Sequence, residues 1–409
     1  MLSKEQNELL CRVGPGTPMG EVFRRYWIPA CLAEEIAEPG GTPLKVRLLG
    51  EDLVAFRDTS GQVGLLAELC AHRQASLTLG RNEEGGLRCI YHGWLYDVDG
   101  KILETPCESE RSLIKHIVRL PAYPCHEVNG IIWTYMGPAE KMPLLPSTLW
   151  FTAPRDHIEV VKFKNECNYL QALEGDCDHP HVTYLHRRGE GLETPEDTSP
   201  SFEVDHTSWG VRAVTYRRMN GGTRKMVRTN LFAYPFIGLI GGFTGANARE
   251  QMQYIHPIYQ VPADDYHTDR YDMIVDMVKP ADGRYRAEYS HELNPDFTKV
   301  ANKTNNYLQD RSLMFTSVYS GIPFGNHTQD AAVTESMGPI MDRSKEHLGE
   351  SDGHIVAVRQ GLFQAMETVQ NGGDPPGVAF SADHNDYSDL YCISGPIPAD
   401  AHWKQLLTV

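Results

Sequence analysis

The sequence predicts an α+β protein, with a small all-β domain over residues 41–140 and a larger domain over 141–409 that mixes strands with helices. Three observations carry this. Residues 43–135 hold short apolar runs separated by Gly- and Asp-containing turns, the pattern of short strands. Pro138, Pro143, Pro146 and Pro154 then crowd one stretch and mark a linker. Beyond it, strand-like runs over 202–280 lie between segments with helical spacing. With 409 residues, 41% hydrophobic and 22% charged, the chain has apolar content for more than one core.

The elements follow in order. Residues 1–40 read as a segment that packs on the larger domain. Residues 45–49 lead to a turn at Gly50-Glu51-Asp52; 53–57 follow, then a turn at Asp58-Thr59-Ser60-Gly61, then 62–66. Asp99-Gly100 closes another hairpin, and 130–135 form the last strand of the small domain. Residues 165–187 look helical and end in a histidine-rich turn. Asn220-Gly221-Gly222 turns between extended runs. Ile355, Val358, Leu362, Met366 and Val369 recur at helical spacing, and Asn371-Gly372-Gly373 stops that helix. From Ala379 onward the composition is turn-like and predicts no element.

A net charge of −16 argues against a nucleic-acid surface and against anionic lipid, while leaving room for a locally basic pocket. Nine cysteines without a regular framework fit a reducing cytosol better than a disulfide-bonded fold. The opening MLSKEQNELL lacks a basic-then-apolar leader, and no run of about 18 apolar residues occurs. The expectation is a soluble cytoplasmic protein.

Cys70-Ala71-His72 and Cys89-Ile90-Tyr91-His92 carry the chemistry of the small domain. They read C-x-H, sixteen residues, C-x-x-H, so each half supplies one sulfur and one imidazole. Two thiolates on one iron and two imidazoles on the other are the ligand set of a Rieske [2Fe–2S] cluster. Neutral imidazoles remove negative charge from the cluster and raise its potential. A structural zinc site is the alternative, but zinc fingers usually pair like ligands within each half. No G-x-G-x-x-G after a strand, no P-loop and no plant-type ferredoxin spacing is present, so the electrons must come from a separate reductase.

A second constellation runs from Asn168 to His186. His181 and His186 lie five apart, off one face of an ideal helix, and Pro180 makes a distorted turn plausible. Two imidazoles and a carboxylate form the facial triad of non-haem Fe(II), with positions open for O₂ and substrate. Surface histidines on a polar helix, His179 included, are the alternative. Candidates for the carboxylate are Asp342, Glu346, Glu350 and Asp352, although Asp352 also suits a helix N-terminus.

At this point the chain resembles a known family. C-x-H-x16-C-x-x-H followed by E-x3-D-x2-H-x4-H is similar to the Rieske non-haem iron oxygenases. MLSKEQNELLCRVGPGTPMGEVFRRYW, GEDLVAFRDTSGQVG, LRCIYHGWLYDVDG and ESMGPIMDRSKEHLG, with Ser351-Asp352 beyond it, resemble the phthalate dioxygenase-type group. That group includes phthalate, chlorobenzoate and phenoxybenzoate dioxygenases and related O-demethylases. The resemblance spans nearly the whole chain and is weakest over 188–330 and in the tail. It implies that Cys70, His72, Cys89 and His92 hold the cluster and that His181, His186 and Asp352 hold Fe(II). Asp178 matches the carboxylate that bridges the two metal sites of neighbouring subunits. Ala71 stands where the family often has proline. The implied fold is a Rieske β-domain joined to a helix-grip domain, an antiparallel sheet flanked by helices, assembled head to tail as trimers or stacked trimers.

The function implied is a terminal oxygenase of aromatic compound catabolism. It would use O₂, and electrons from NAD(P)H passed through a flavin/[2Fe–2S] reductase, to hydroxylate an aromatic carboxylate by ring or angular attack. Oxidative O-demethylation of a methoxylated aromatic acid is the alternative. A Rieske electron carrier is a reading of another class, but it would need only about a hundred residues. Arg212 and Arg228, on predicted strands, are candidates to clamp a substrate carboxylate, because guanidinium matches carboxylate bidentately. The alternative for each is an outward, solvated arginine.

Overall fold

Tight hairpins set the register of the first unit in the structure, a computed structural model that describes residues 1–189, 197–241 and 254–408. Strands β1 (Trp27–Leu32), β2 (Leu44–Leu48), β3 (Glu51–Arg57), β4 (Val63–Ala67), β5 (Arg81–Glu83), β6 (Gly86–Arg88), β7 (Leu95–Tyr96), β8 (Ile102–Glu104), β9 (Cys125–Val128) and β10 (Ile131–Tyr135) form three small sheets. Their orders are β2-β3-β4, β5-β6-β7-β8 and β1-β10-β9. Leu49-Gly50, Glu84-Gly85 and Asn129-Gly130 are two-residue loops with positive φ at both positions, the conformation that matches strand twist. The first turn therefore falls at Leu49-Gly50, ahead of the Gly50-Glu51-Asp52 expected from sequence, and Glu51 and Asp52 already belong to β3. Strand β1 comes from the 1–40 segment and pairs with β10.

Beyond the linker lies one antiparallel sheet. Its strands are β11 (Ile158–Asn165), β12 (Ser201–His206), β13 (Gly210–Met219), β14 (Arg224–Ala233), β15 (Ile237–Ile240), β16 (Tyr254–Ile255), β17 (Pro257–Pro262), β18 (Thr268–Asp276) and β19 (Ser394–Pro398). The order is β11-β18-β17-β15-β14-β13-β12, with β16 on β18 and β19 on β14. The tail thus contributes a strand where the sequence predicted none.

Helices α1 (Lys4–Cys11) and α2 (Pro18–Phe23) open the chain. Ser3 and Gln6 close a capping box on α1, and Thr17 caps α2 with Pro18 in its first turn. The remaining helices that matter here are α3 (Tyr169–Cys177), α4 (Arg284–Ser290), α5 (Asn326–Ser336) and α6 (Gly353–Gln370). Helix α3 crosses β14, β15 and β17, and α6 lies beside it on β12 and β13, which gives the helix-on-antiparallel-sheet arrangement. Buried ion pairs fasten these helices. Glu174 of α3 accepts from Arg343 at 2.8 Å and from Arg359 of α6 at 2.6 Å, and Arg343 also donates to Asn7 of α1 at 3.1 Å. Burial alone would push the Glu174 carboxyl up, but the two guanidiniums hold it below its ordinary range.

Two of the apolar cores position the sites. The larger joins α1, α2, β1, β10, the large sheet and α6. A small second core encloses Cys70, Cys89, Trp94 and Tyr96 with Val54, Phe56, Leu66, Leu77 and Leu87. Among the described residues no helix is long and apolar enough to cross a membrane.

Candidate active site

The two Cys/His loops are one turn used twice. Cys70 N–H donates to Ala75 O and Gln74 N–H returns to Cys70 O; Cys89 N–H donates to Trp94 O and Gly93 N–H returns to Cys89 O. Gln74 and Gly93, equivalent in this pattern, both have positive φ. At Gly93 a Cβ would also meet Pro106 Cγ at 2.7 Å, so only glycine fits there without a shift. The repeat places Cys70 and Cys89 in the small core and turns His72 and His92 toward each other, ring centroids 4.4 Å apart. His72 stacks on Trp94 at 4.7 Å, and Tyr96 Oη lies 3.1 Å from Cys70 Sγ, where it would donate to a thiolate. His72 Nδ1 is buried with no hydrogen-bond partner among the described residues, as expected of an atom reserved for a metal. The four side chains fit a Rieske cluster. Leu69, Ile90 and Tyr91 beside them are exposed.

The second site begins where α3 fails. Asn168 caps the helix, accepting from Leu170 N–H, and is locked by its own donations to Cys11 O and Asp265 O. The helix ends at Cys177, not at 187, because Asp178 is extended and Pro180 opens a separate 3₁₀ turn over Pro180–Thr183. That break brings residues five apart together: His181 Nε2 and His186 Nε2 are 3.2 Å apart.

The carboxylate that completes the group is Asp330, on α5. Its Oδ1 lies 3.0 Å from His186 Nε2 and 3.6 Å from His181 Nε2. Donors about 2.1 Å from one ion and set at right angles would lie about 3 Å apart, so the three atoms fit one facial iron. Each imidazole also has a partner behind it. Asp178 Oδ2 is 3.4 Å from His181 Nδ1, and Gln329 Oε1 is 2.8 Å from His186 Nδ1. Gln329 is itself fixed by donating to Ile322 O at 2.8 Å.

Asp352 is not in this group, which corrects the sequence expectation. Its Oδ2 accepts Gly349 N–H at 2.7 Å just ahead of α6, the local bonding that short acidic side chains make at helix starts. Asp342 likewise accepts from Ser344 and pairs with Lys345, and Glu346 pairs with Arg359. Sequence reasoning missed Asp330 and Gln329. Their signal was a helix that buries His327, Thr328 and Gln329 in its first turns and so lacks an apolar stripe.

His181, His186 and Asp330 open into a cavity of about 530 Å³, a usual size for a small-molecule site. Its wall includes Asp178, Arg228, Asn230, His256, Arg270 and Tyr285. A larger cleft, about 890 Å³, lies by Glu35, Lys45 and Lys162 and contains none of these histidines. The two candidate arginines part company here. Arg228 is buried in the cavity wall, and burial pushes it down to about 9, still a cation at neutral pH. Arg212 is elsewhere, donating to Asp389 O at 2.8 Å and lying over the Trp209 and Trp403 rings.

Comparison with known proteins shows the family. Residues 26–124 match the Rieske [2Fe-2S] domain family, and residues 134–409 match the family described as LigXa C-terminal domain like. The phthalate 4,5-dioxygenase oxygenase subunit of Pseudomonas putida is 38% identical over 93% of this chain and 90% of its own length. The 5,5'-dehydrodivanillate O-demethylase oxygenase subunit of a Sphingobium strain is 32% identical over 92% of this chain and 84% of its own. The solved structure of NdmA from Pseudomonas putida CBB5 superposes with a TM-score of 0.64 at 18% identity, covering 90% of this chain and 99% of that one.

Proposed function

The chain belongs to the Rieske non-haem iron oxygenases, and from that premise we propose that its substrate is an aromatic acid whose carboxylate is held by Arg228. The protein is an oxygenase subunit that carries a Rieske [2Fe–2S] cluster and a mononuclear iron and draws electrons from a separate reductase. We assign Cys70, His72, Cys89 and His92 to the cluster and His181, His186 and Asp330 to the iron. When bound, the cluster passes single electrons and the iron supplies the site at which O₂ is reduced beside the substrate.

The observation that carries the substrate reading is a buried guanidinium in the wall of the cavity that holds the triad. A guanidinium presents parallel N–H donors in a planar fork, and a substrate carboxylate in this cavity would match that of Arg228. Arg228→Ala should raise KM for aromatic acids about a hundredfold or more and leave KM for their methyl esters within a few fold, with Arg228→Lys between. Equal effects on acids and esters would remove the clamp.

Hydroxylation of the ring and removal of an O-methyl group both fit this cavity, and the similarity to an O-demethylase subunit favours keeping the second reading. Product analysis with labelled O₂ separates them: a ring product carrying label, or formaldehyde and a phenol.

The remaining roles extend from Asp178. Its carboxylate stands behind His181, and we assign it the link to His92 of a neighbouring subunit in a head-to-tail trimer or stacked trimers. A flavin/[2Fe–2S] reductase fed by NAD(P)H and a cytoplasmic location complete the proposal.

A further inference from the structure

The cavity has a second polar end, away from Arg228. Asp272 of β18 is fully buried, and its Oδ1 accepts from Arg270 Nε at 2.8 Å. Burial would raise this carboxyl, but Arg270 and His327 hold it well below its ordinary range, so it is an acceptor only. Its Oδ2 lies 2.6 Å from His327 Nε2 and 3.0 Å from Tyr285 Oη, with His256 Nε2 farther off at 3.7 Å. The first two are in bonding range, so His327 donates through Nε2 and Tyr285 donates its hydroxyl.

With that proton committed, Tyr285 Oη has only lone pairs left for its other neighbours. His256 Nε2 lies 3.3 Å from it and is too far from Asp272 to bond there, so His256 donates Nε2–H to Tyr285. A neutral imidazole protonated at Nε2 bears its lone pair at Nδ1. Donation thus runs from His256 to Tyr285 to Asp272, which also accepts from Arg270, and it leaves His256 with an acceptor at Nδ1. His256 lines the cavity, and its Nδ1 makes no hydrogen bond among the described residues.

We propose that His256 Nδ1 accepts a hydrogen bond from a substrate hydroxyl, so that the cavity selects aromatic acids bearing a hydroxyl group at the end remote from the carboxylate. Arg228 on β14 and the Asp272 cluster on β18 are separated by three strand steps, roughly 14 Å along the sheet at the usual spacing. The two groups therefore address opposite ends of a ligand. His256, Asp272 and His327 also form a possible metal-ligand set. A dication there would face Arg270 on the same carboxylate, with Tyr285 Oη already within 3.3 Å of all three donors. The inference takes its orientation from the Arg228 reading, so the test separates the two.

Calorimetry on the oxidised holoenzyme, without reductase, measures Kd for one-ring and two-ring aromatic acids paired with and without one hydroxyl, and for the methyl esters of each. In wild type at least one hydroxylated ligand should bind tenfold or more tighter than its partner. His256→Phe should bring that pair within twofold while leaving Kd of the hydroxyl-free acid within threefold of wild type. His256→Gln, which keeps an acceptor oxygen, should retain part of the preference. Tyr285→Phe, which frees the His256 tautomer, should cut it to about threefold, and this variant carries the test should His256→Phe lose the cluster spectrum. No preference in any wild-type pair, or one that survives in His256→Phe, overturns the proposal. So does a second non-cluster metal per chain that disappears in His256→Phe. A hydroxyl preference shared by acids and esters, with no advantage of acids over esters, removes the Arg228 clamp and leaves the His256 subsite standing.

Discussion

The two metal-binding regions of this chain are built in opposite ways. The cluster loops lie within residues 70–93, repeat one hydrogen-bonded turn, and sit on a small core of their own. The iron group draws His181 and His186 from a broken helix and Asp330 from a helix far along the chain, over a cavity whose wall comes from the sheet. The first site is set by local chain geometry; the second exists only once the large sheet and its helices have packed. The difference teaches where each site should break.

The sharpest test removes the residue that only tertiary structure supplies. Asp330→Ala should abolish turnover, by a factor of a thousand or more, and lower mononuclear iron content while the Rieske visible spectrum persists. Asp352→Ala should leave turnover within about twofold, because that side chain bonds only its own loop. Iron assay and product formation on both variants decide; the reverse pattern would restore Asp352 as the ligand.

Asp178→Asn comes next. It keeps the shape and removes the charge behind His181. Both metals should remain bound, while reoxidation of the pre-reduced cluster, followed by rapid mixing with substrate and O₂, slows about a hundredfold. Wild-type kinetics would leave Asp178 as a local support for His181 alone.

The cluster side of the comparison is tested at Gly93. A side chain there meets Pro106 and a strained φ together, so Gly93→Ala should cost roughly 1–3 kcal/mol, felt in the small core. Its Rieske absorbance should be lost on mild heating, measured by visible spectroscopy, several degrees before the mononuclear iron is released. Simultaneous loss of both would show that the two regions melt as one.

The smallest effect is a pH dependence. His354 of α6 is buried against Cys177 O at 2.9 Å, and burial pushes it down to about 4 from an ordinary value near 6.5. The folded protein binds the proton less readily than the unfolded chain, so the stability is present above about pH 6.5 and is lost as pH falls toward 4. Between pH 7 and pH 5 this site should remove about 2 kcal/mol. Urea midpoints at the two pH values should fall less in His354→Gln than in wild type; equal falls would exclude His354.

What the sequence made legible follows the same division. The cluster ligands were readable because four residues close together carry the whole chemistry. The carboxylate that stands with His181 and His186 was not: Asp352 looked right because it precedes a helix, a place where any short acidic residue is at home, whereas Asp330 lies inside one. Nor could Arg212 be told from Arg228. Both lie on β13 and β14, where successive residues are buried on both faces, so the alternation that would assign a side chain inward is absent. The tail strand was hidden by Gly395, Pro396 and Pro398, which β19 tolerates because it pairs along a single strand, β14.

That last strand has a consequence for how the protein is made. Strand β14 carries Arg228, whose register partner is Ser394 of β19, so the sheet beside Arg228 is completed by residues translated after every other described strand. On the ribosome the cluster turns and the residues of their small core, all within 54–122, emerge early. Iron–sulfur loading is therefore open to the nascent chain, whereas the pocket that would consume its electrons is finished only at the end of synthesis. The order of translation thus supplies the electron-delivering half before the oxygen site exists.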